Sequence, residues 1–184
     1  MDEPSDTVLV ARAREGDDAA MEALARRYLR PAYAVALAVV RDVSEAEDVA
    51  QESLMASLQR LDRCRDPAKF APWLFAGVRN RALNRLGRSK VRAAYARGEP
   101  REELTAGASE GVLLRSRLLS ALSRLSSVQR EVVLLHDLEE WTHGEVAAAL
   151  GLSEVMSRQH LFVARRLMRE NLGQEHREEE PADE

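Results

Sequence analysis

Apolar residues return every three or four positions along most of this chain, a period that predicts helices; no strand pattern and no internal repeat interrupts it. Val8, Leu9 and Ala11, then Met21, Leu24, Ala25, Tyr28 and Leu29, give helical spacing from residue 6 to residue 41, with Asp17 or Asp18 as an N-cap between two helices. Pro31 is expected to open a further, strongly apolar helix over 32–40. Ser44 with Glu47 forms a capping-box pattern ahead of the stripe Val49, Leu54, Leu58, Leu61. Pro67 and Pro72 break helicity. It resumes with Trp73, Leu74, Val78 and Ala82 facing inward and Gly87 near the end.

Residues 88–112 lose the apolar period and carry Gly98, Pro100, Gly107 and Gly111, as a linker does. The pattern returns at Val112 with Leu113, Leu114, Leu118, Leu119, Leu122 and Leu125. Ser126 with Gln129 and Thr142 with Glu145 are further capping boxes, Gly151 is a left-handed stop, and Ser153 caps a last helix. The expected architecture is all-α. Two small helical domains, 6–90 and 112–172, are joined by a flexible linker over 91–111, and an acidic tail, 173–184, lacks core-forming residues and is expected to be disordered.

Composition adds a charge pattern. The net charge is −4 over 184 residues, but its distribution is uneven. Residues 1–59 carry 6 Arg against 12 acids, residues 60–92 carry 10 Lys and Arg against 2 acids, and the tail is again acidic. A basic block beside an acidic one implies two surfaces for two partners. The single cysteine, Cys64, excludes an internal disulfide and a cysteine-rich zinc site. Its neighbours Arg63 and Arg65 favour a thiolate; the plainer reading is an incidental loop cysteine. No apolar run reaches membrane-span length and no signal-peptide pattern opens the chain, so a cytoplasmic protein is expected.

Three stretches carry candidate chemistry. Glu47, Asp48, Gln51 and Glu52 share one helix face away from the apolar stripe, free to meet a basic partner. Arg63, Arg65 and Lys69 on a loop, and Arg79, Arg81, Arg85 and Arg88 on the following helix, suit phosphates, while Asn80 and Asn84 suit base edges. "GEVAAALGLSEVMSRQHLFVARRLM", residues 144–168, reads as helix, tight turn and second helix, the layout that places a helix in a DNA groove.

In order and spacing, "AEDVAQESLMASLQRLD", "KFAPWLFAGVRNRALNRL" and "LSSVQREVVLLHDLEEWTHGEVAAALGLS" resemble the bacterial extracytoplasmic-function sigma factors, over roughly residues 8–90 and 113–170. The resemblance implies sigma regions 2 and 4, and a protein that binds core RNA polymerase at the β′ clamp and β flap, directs it to promoter DNA and helps melt it. It also implies an anti-sigma factor as a regulator. On this reading Glu47, Asp48, Gln51 and Glu52 dock on the β′ clamp. Arg63, Arg65, Lys69, Phe70, Asn80, Arg81, Asn84 and Arg85 serve the −10 element, with Phe70 as the aromatic touching a flipped base and Trp73 as core. Ser153 caps the −35 reading helix, which offers Arg158, Gln159, Phe162, Arg165 and Arg166.

That helix departs from the family pattern. Val155 stands where Gly is usual, Met156 for Thr, Ser157 for Val, and His160 and Val163 for Arg. Arg158, Leu161, Ala164 and Arg165 keep it. Ser157 weakens a packing position, and Phe162 either meets a thymine methyl or packs on a regulator. The departures also admit a degenerate sigma-like protein that binds polymerase or an anti-sigma factor without normal −35 reading. A plain helix-turn-helix regulator would need neither the acidic helix nor the basic segment. Four histidines without ligand spacing, and no phosphate-cradling glycine loop, argue against an enzyme, a metal site or a cofactor.

Overall fold

The computed structural model describes residues 4–95 and 110–178, with side chains described over 4–88 and 111–172. Eight α-helices occur among these residues: α1 (Asp6–Arg14), α2 (Asp18–Val40), α3 (Val43–Leu58), α4 (Phe70–Tyr95), α5 (Glu110–Ser123), α6 (Ser127–Val133), α7 (His143–Leu150) and α8 (Glu154–Glu178). Short 3-10 turns at Leu61–Arg63 and Pro67–Lys69 link α3 to α4. A single π-helical turn, Leu134–Leu138, continues α6.

The caps explain most boundaries. Asp17 accepts from the Ala20 amide and starts α2, and Arg41 ends it in the left-handed region at φ 60°. Asp42, not Ser44, caps α3, accepting from Glu45 N at 2.9 Å; Ser44 lies inside the first turn, so the expected Ser44–Glu47 box does not form. Ser126–Gln129 and Thr142–Glu145 are reciprocal capping boxes. Gly151, at φ 70°, stops α7, and Ser153 accepts from Met156 N.

Four boundaries differ from the sequence expectation. Pro31 does not divide α2. Proline inside a helix costs about 3 kcal/mol in isolation, but Pro31 is buried and most of the turns after it are packed in the core. Pro72 falls in the first turn of α4, where its missing N–H has no intrahelical partner to lose. Helix α4 continues past Gly87 to Tyr95, and α5 starts at Glu110, so the linker expectation now falls on residues 96–109, outside the described residues. The start of the segment expected to be disordered, through Glu178, is helical in α8.

Helices α1 to α4 enclose Leu9, Val10, Leu24, Val35, Val49, Phe70, Leu74, Phe75 and Val78. Helices α5 to α8 enclose Leu122, Leu125, Val132, Leu135, Val146, Leu161 and Ala164. The two cores are continuous. Trp141 meets Tyr28 and Phe75 with ring centroids 6.3 and 5.7 Å apart. Arg79 of α4 pairs with Glu131 of α6 at 2.7 Å. Buried Arg130 donates to the Ala38 carbonyl at 2.6 Å and to those of Leu122, Ser123 and Leu125 at 3.0–3.4 Å. One cation thus satisfies carbonyls at the C-terminal ends of α2 and α5, groups that a helix leaves unpaired.

Candidate nucleic-acid interface

Helix α4 sorts its side chains by face. Leu74, Val78 and Ala82 are fully buried. Arg81 and Arg85 turn to α3. Arg81 donates to Ser53 Oγ (3.1 Å) and Glu52 (3.3 Å), and Arg85 lies 3.2 Å from Glu45 and Glu52 and 3.7 Å from Asp48. The acidic and basic blocks therefore neutralise each other in part, where the charge pattern suggested two separate surfaces. Of the acidic face, Glu47 and Gln51 stand exposed outside this cluster. Asn80, Asn84 and Arg88 face solvent on the remaining side of α4.

The loop before α4 is built around buried Cys64. Arg14 donates to the carbonyls of Leu61 and Cys64, fixing the turn that projects Arg63 and Arg65 outward. Burial pushes the Cys64 thiol up, more than Arg14 pulls it down, so the flanking arginines do not make a thiolate. Lys69 is exposed, 3.8 Å from Asp66. Phe70 is not available to a base: it is 0% exposed and sits edge-on to Tyr28 at 5.1 Å. As the first residue of α4 its ring points under the bundle, and the loop that was to display it lies before it. Trp73, expected in the core, is only partly buried against Phe70 and keeps accessible surface.

In the carboxy-terminal half, α8 buries Ser157, Leu161 and Ala164 against α6 and α7. The polar Ser157 is satisfied there by a hydrogen bond to His143 Nδ1 at 2.9 Å, a partner the sequence pattern did not disclose. Burial and the neighbouring His136 ring, 4.4 Å away, hold His143 below the ordinary imidazole range. Arg165 makes a bidentate pair with Asp137 at 2.6 and 3.0 Å. Burial alone would raise the Asp137 carboxyl, but hydrogen bonds from Arg165 and His136 outweigh it and keep it low. Arg158 is 3.1 Å from Glu154 and Arg166 is 3.8 Å from Glu170, exposed pairs of small energetic weight. Gln159 and Phe162 are exposed.

Among the described residues no cluster of three or more His, Cys, Asp or Glu is placed to hold a metal, and no helix is long and apolar enough to cross a membrane.

A capped helix-turn-helix behind a four-helix bundle with an exposed Arg and Asn surface is the arrangement the family likeness required. The sequence matches Sigma-70 region 2 over residues 24–92 and Sigma-70 region 4 over residues 115–168. It is 31% identical over 172 residues to the ECF RNA polymerase sigma factor SigL of Mycobacterium tuberculosis, covering 89% of this chain and 97% of that one. The chain belongs to the extracytoplasmic-function sigma factors. It is also 34% identical over 149 residues to the probable RNA polymerase sigma factor RfaY of Xanthomonas campestris pv. campestris, 76% of this chain but 37% of that longer relative. The solved structure of CnrH in complex with the cytosolic domain of CnrY superposes with a TM-score of 0.65 at 25% identity, covering 92% of this chain and 98% of that one. As a sigma factor, this chain has core RNA polymerase and promoter DNA as partners, in a family that is not one of catalytic enzymes.

Proposed function

We propose that three exposed surfaces divide the work of promoter-specific initiation. The Glu47 and Gln51 edge of α3 docks on the β′ clamp, with Asp48 and Glu52 joining it when Arg81 and Arg85 turn to DNA. Arg63, Arg65, Lys69, Asn80, Arg81, Asn84 and Arg85 hold the melted −10 strand, with Trp73 supplying the aromatic surface for a flipped base. Helix α8 reads the −35 duplex from its N-terminal turns. The observation carrying this reading is the capped, solvent-facing side of α8 in a chain that also has region 2 and region 4 sequence.

The closed arrangement must open for this work. Elements centred about 25 base pairs apart lie about 85 Å apart along DNA, whereas a compact chain of this length is about 40 Å across. Opening breaks the Arg79–Glu131 and Arg130–Ala38 links and lets the two already exposed surfaces reach elements that far apart. CnrH is solved with a cytosolic domain of another protein, and a regulator of that kind, an anti-sigma factor, would hold this chain closed in the cytoplasm.

Promoter-specific transcription with purified core polymerase is the test. Transcripts that start only at promoters with defined −10 and −35 sequences support the proposal. Core binding without such transcripts replaces it with the degenerate sigma-like protein.

A further inference from the structure

The side of α8 turned away from the core carries large apolar side chains among its polar ones. Val155, Gln159, Phe162 and Arg166 follow one another at i, i+4, i+7 and i+11 and form a single stripe. That stripe lies opposite the buried Ser157, Leu161 and Ala164. Val155 is 68% exposed and Phe162 65%, and Met156 beside them is 45% exposed. Arg158 and Arg166 flank the apolar pair, with more than half of each side chain exposed.

An apolar side chain can neither donate to nor accept from a base edge or a phosphate. The apolar feature of the major groove is the C5-methyl of thymine. The flanking arginines complement phosphates on either side of the groove. We infer that Val155 and Phe162 are specificity-determining residues that read thymine methyl groups in the −35 element, with Gln159 between them placed for a base edge. The inference rests on α8 being the −35 reader. Seven residues of helix separate the pair by about 10 Å, close to three base-pair steps at 3.4 Å each.

The experiment uses holoenzyme reconstituted from core polymerase and the full chain. Sequences enriched from a randomised −35 pool are remade with each thymine replaced in turn by deoxyuridine, which removes the methyl and keeps every hydrogen-bonding group. The expected result is a loss of about fourfold per contacted methyl, at positions about three base pairs apart. Phe162→Ala should abolish the loss at one of them, and Val155→Gly at the other. Equal binding of thymine and deoxyuridine templates by wild type overturns the inference while leaving −35 reading intact. No enrichment from the pool overturns both. Unchanged DNA selection by Phe162→Ala with weakened binding to core polymerase assigns the stripe to a protein contact instead. Both side chains are exposed, so neither variant should disturb folding; matching thermal melts check this.

Discussion

Arg79 of α4 donates from Nε and a terminal nitrogen to the carboxylate of Glu131 on α6, at 2.7 to 3.0 Å, across the junction of the two halves. The partners are unequal: the Glu131 side chain is 6% exposed and that of Arg79 28%. Removing Arg79 strands a buried carboxylate, whereas removing Glu131 leaves an arginine that reaches water. Arg79→Ala should therefore cost more, about 2–3 kcal/mol with allowance for the partial exposure of the arginine. Urea melts of Arg79→Ala and Glu131→Ala check the order. Small-angle scattering should show the radius of gyration rising in both.

Phe70 and Trp73 should separate cleanly. Phe70→Ala empties a fully buried site and should cost about 3–5 kcal/mol of stability. Trp73→Ala should cost less and instead reduce strand opening, seen as weaker permanganate reactivity around the −10 element. Normal opening in Trp73→Ala at wild-type stability would remove it from the base-holding role.

The clamp-docking edge is best tested away from the charge cluster. Reversing Asp48 or Glu52 also disturbs Arg85, so a loss of binding there has two causes. Glu47→Arg changes an exposed side chain and should move stability by no more than about 0.5 kcal/mol. Against a basic clamp surface it should weaken association with core polymerase at least tenfold, on the order of 1.4 kcal/mol. A pull-down titration at moderate salt measures it.

Releasing Arg165 should change how the chain meets DNA. Asp137→Asn removes the anion that holds the guanidinium, leaving it free for a phosphate. Non-specific DNA affinity should rise, and the salt dependence of binding should steepen by about one counterion. Fluorescence anisotropy at several salt concentrations reads both.

Acid should loosen the helix-turn-helix through His143. Its folded-state pKa lies below the ordinary value, so the unfolded chain takes up a proton first. The stabilisation from a neutral His143 is complete above a pH of about 6.5. It is lost as pH falls below that value toward the depressed folded one. Wild type should lose melting temperature between pH 7.5 and 5.5, and His143→Gln should lose less.

The sequence announced what depends on near neighbours. The Thr142–Glu145 and Ser126–Gln129 boxes, the Asp17 cap and the Gly151 stop are decided within four residues and could be read directly. Where two local candidates competed, as Asp42 and Ser44 did, the pattern alone did not choose. Phe70 was misplaced because its position depends on where α4 begins, which Pro72 obscured. The pairs Ser157–His143, Arg165–Asp137 and Arg79–Glu131 span 14, 28 and 52 residues. Such partners are set by how helices pack, and no spacing rule along the chain signals them. The candidate arginines of α4 and α8 were therefore legible as basic positions, but not the acids that hold several of them.

The Ala38 carbonyl and the Arg130 guanidinium are 92 residues apart in the chain. A ribosome adding about 5–20 residues per second needs roughly 5–20 seconds to cover that distance. Helix formation takes microseconds, so α1 to α4 have ample time to assemble before Arg130 is synthesised. Every newly made molecule thus passes through an open form first, and closing is a later event in its life.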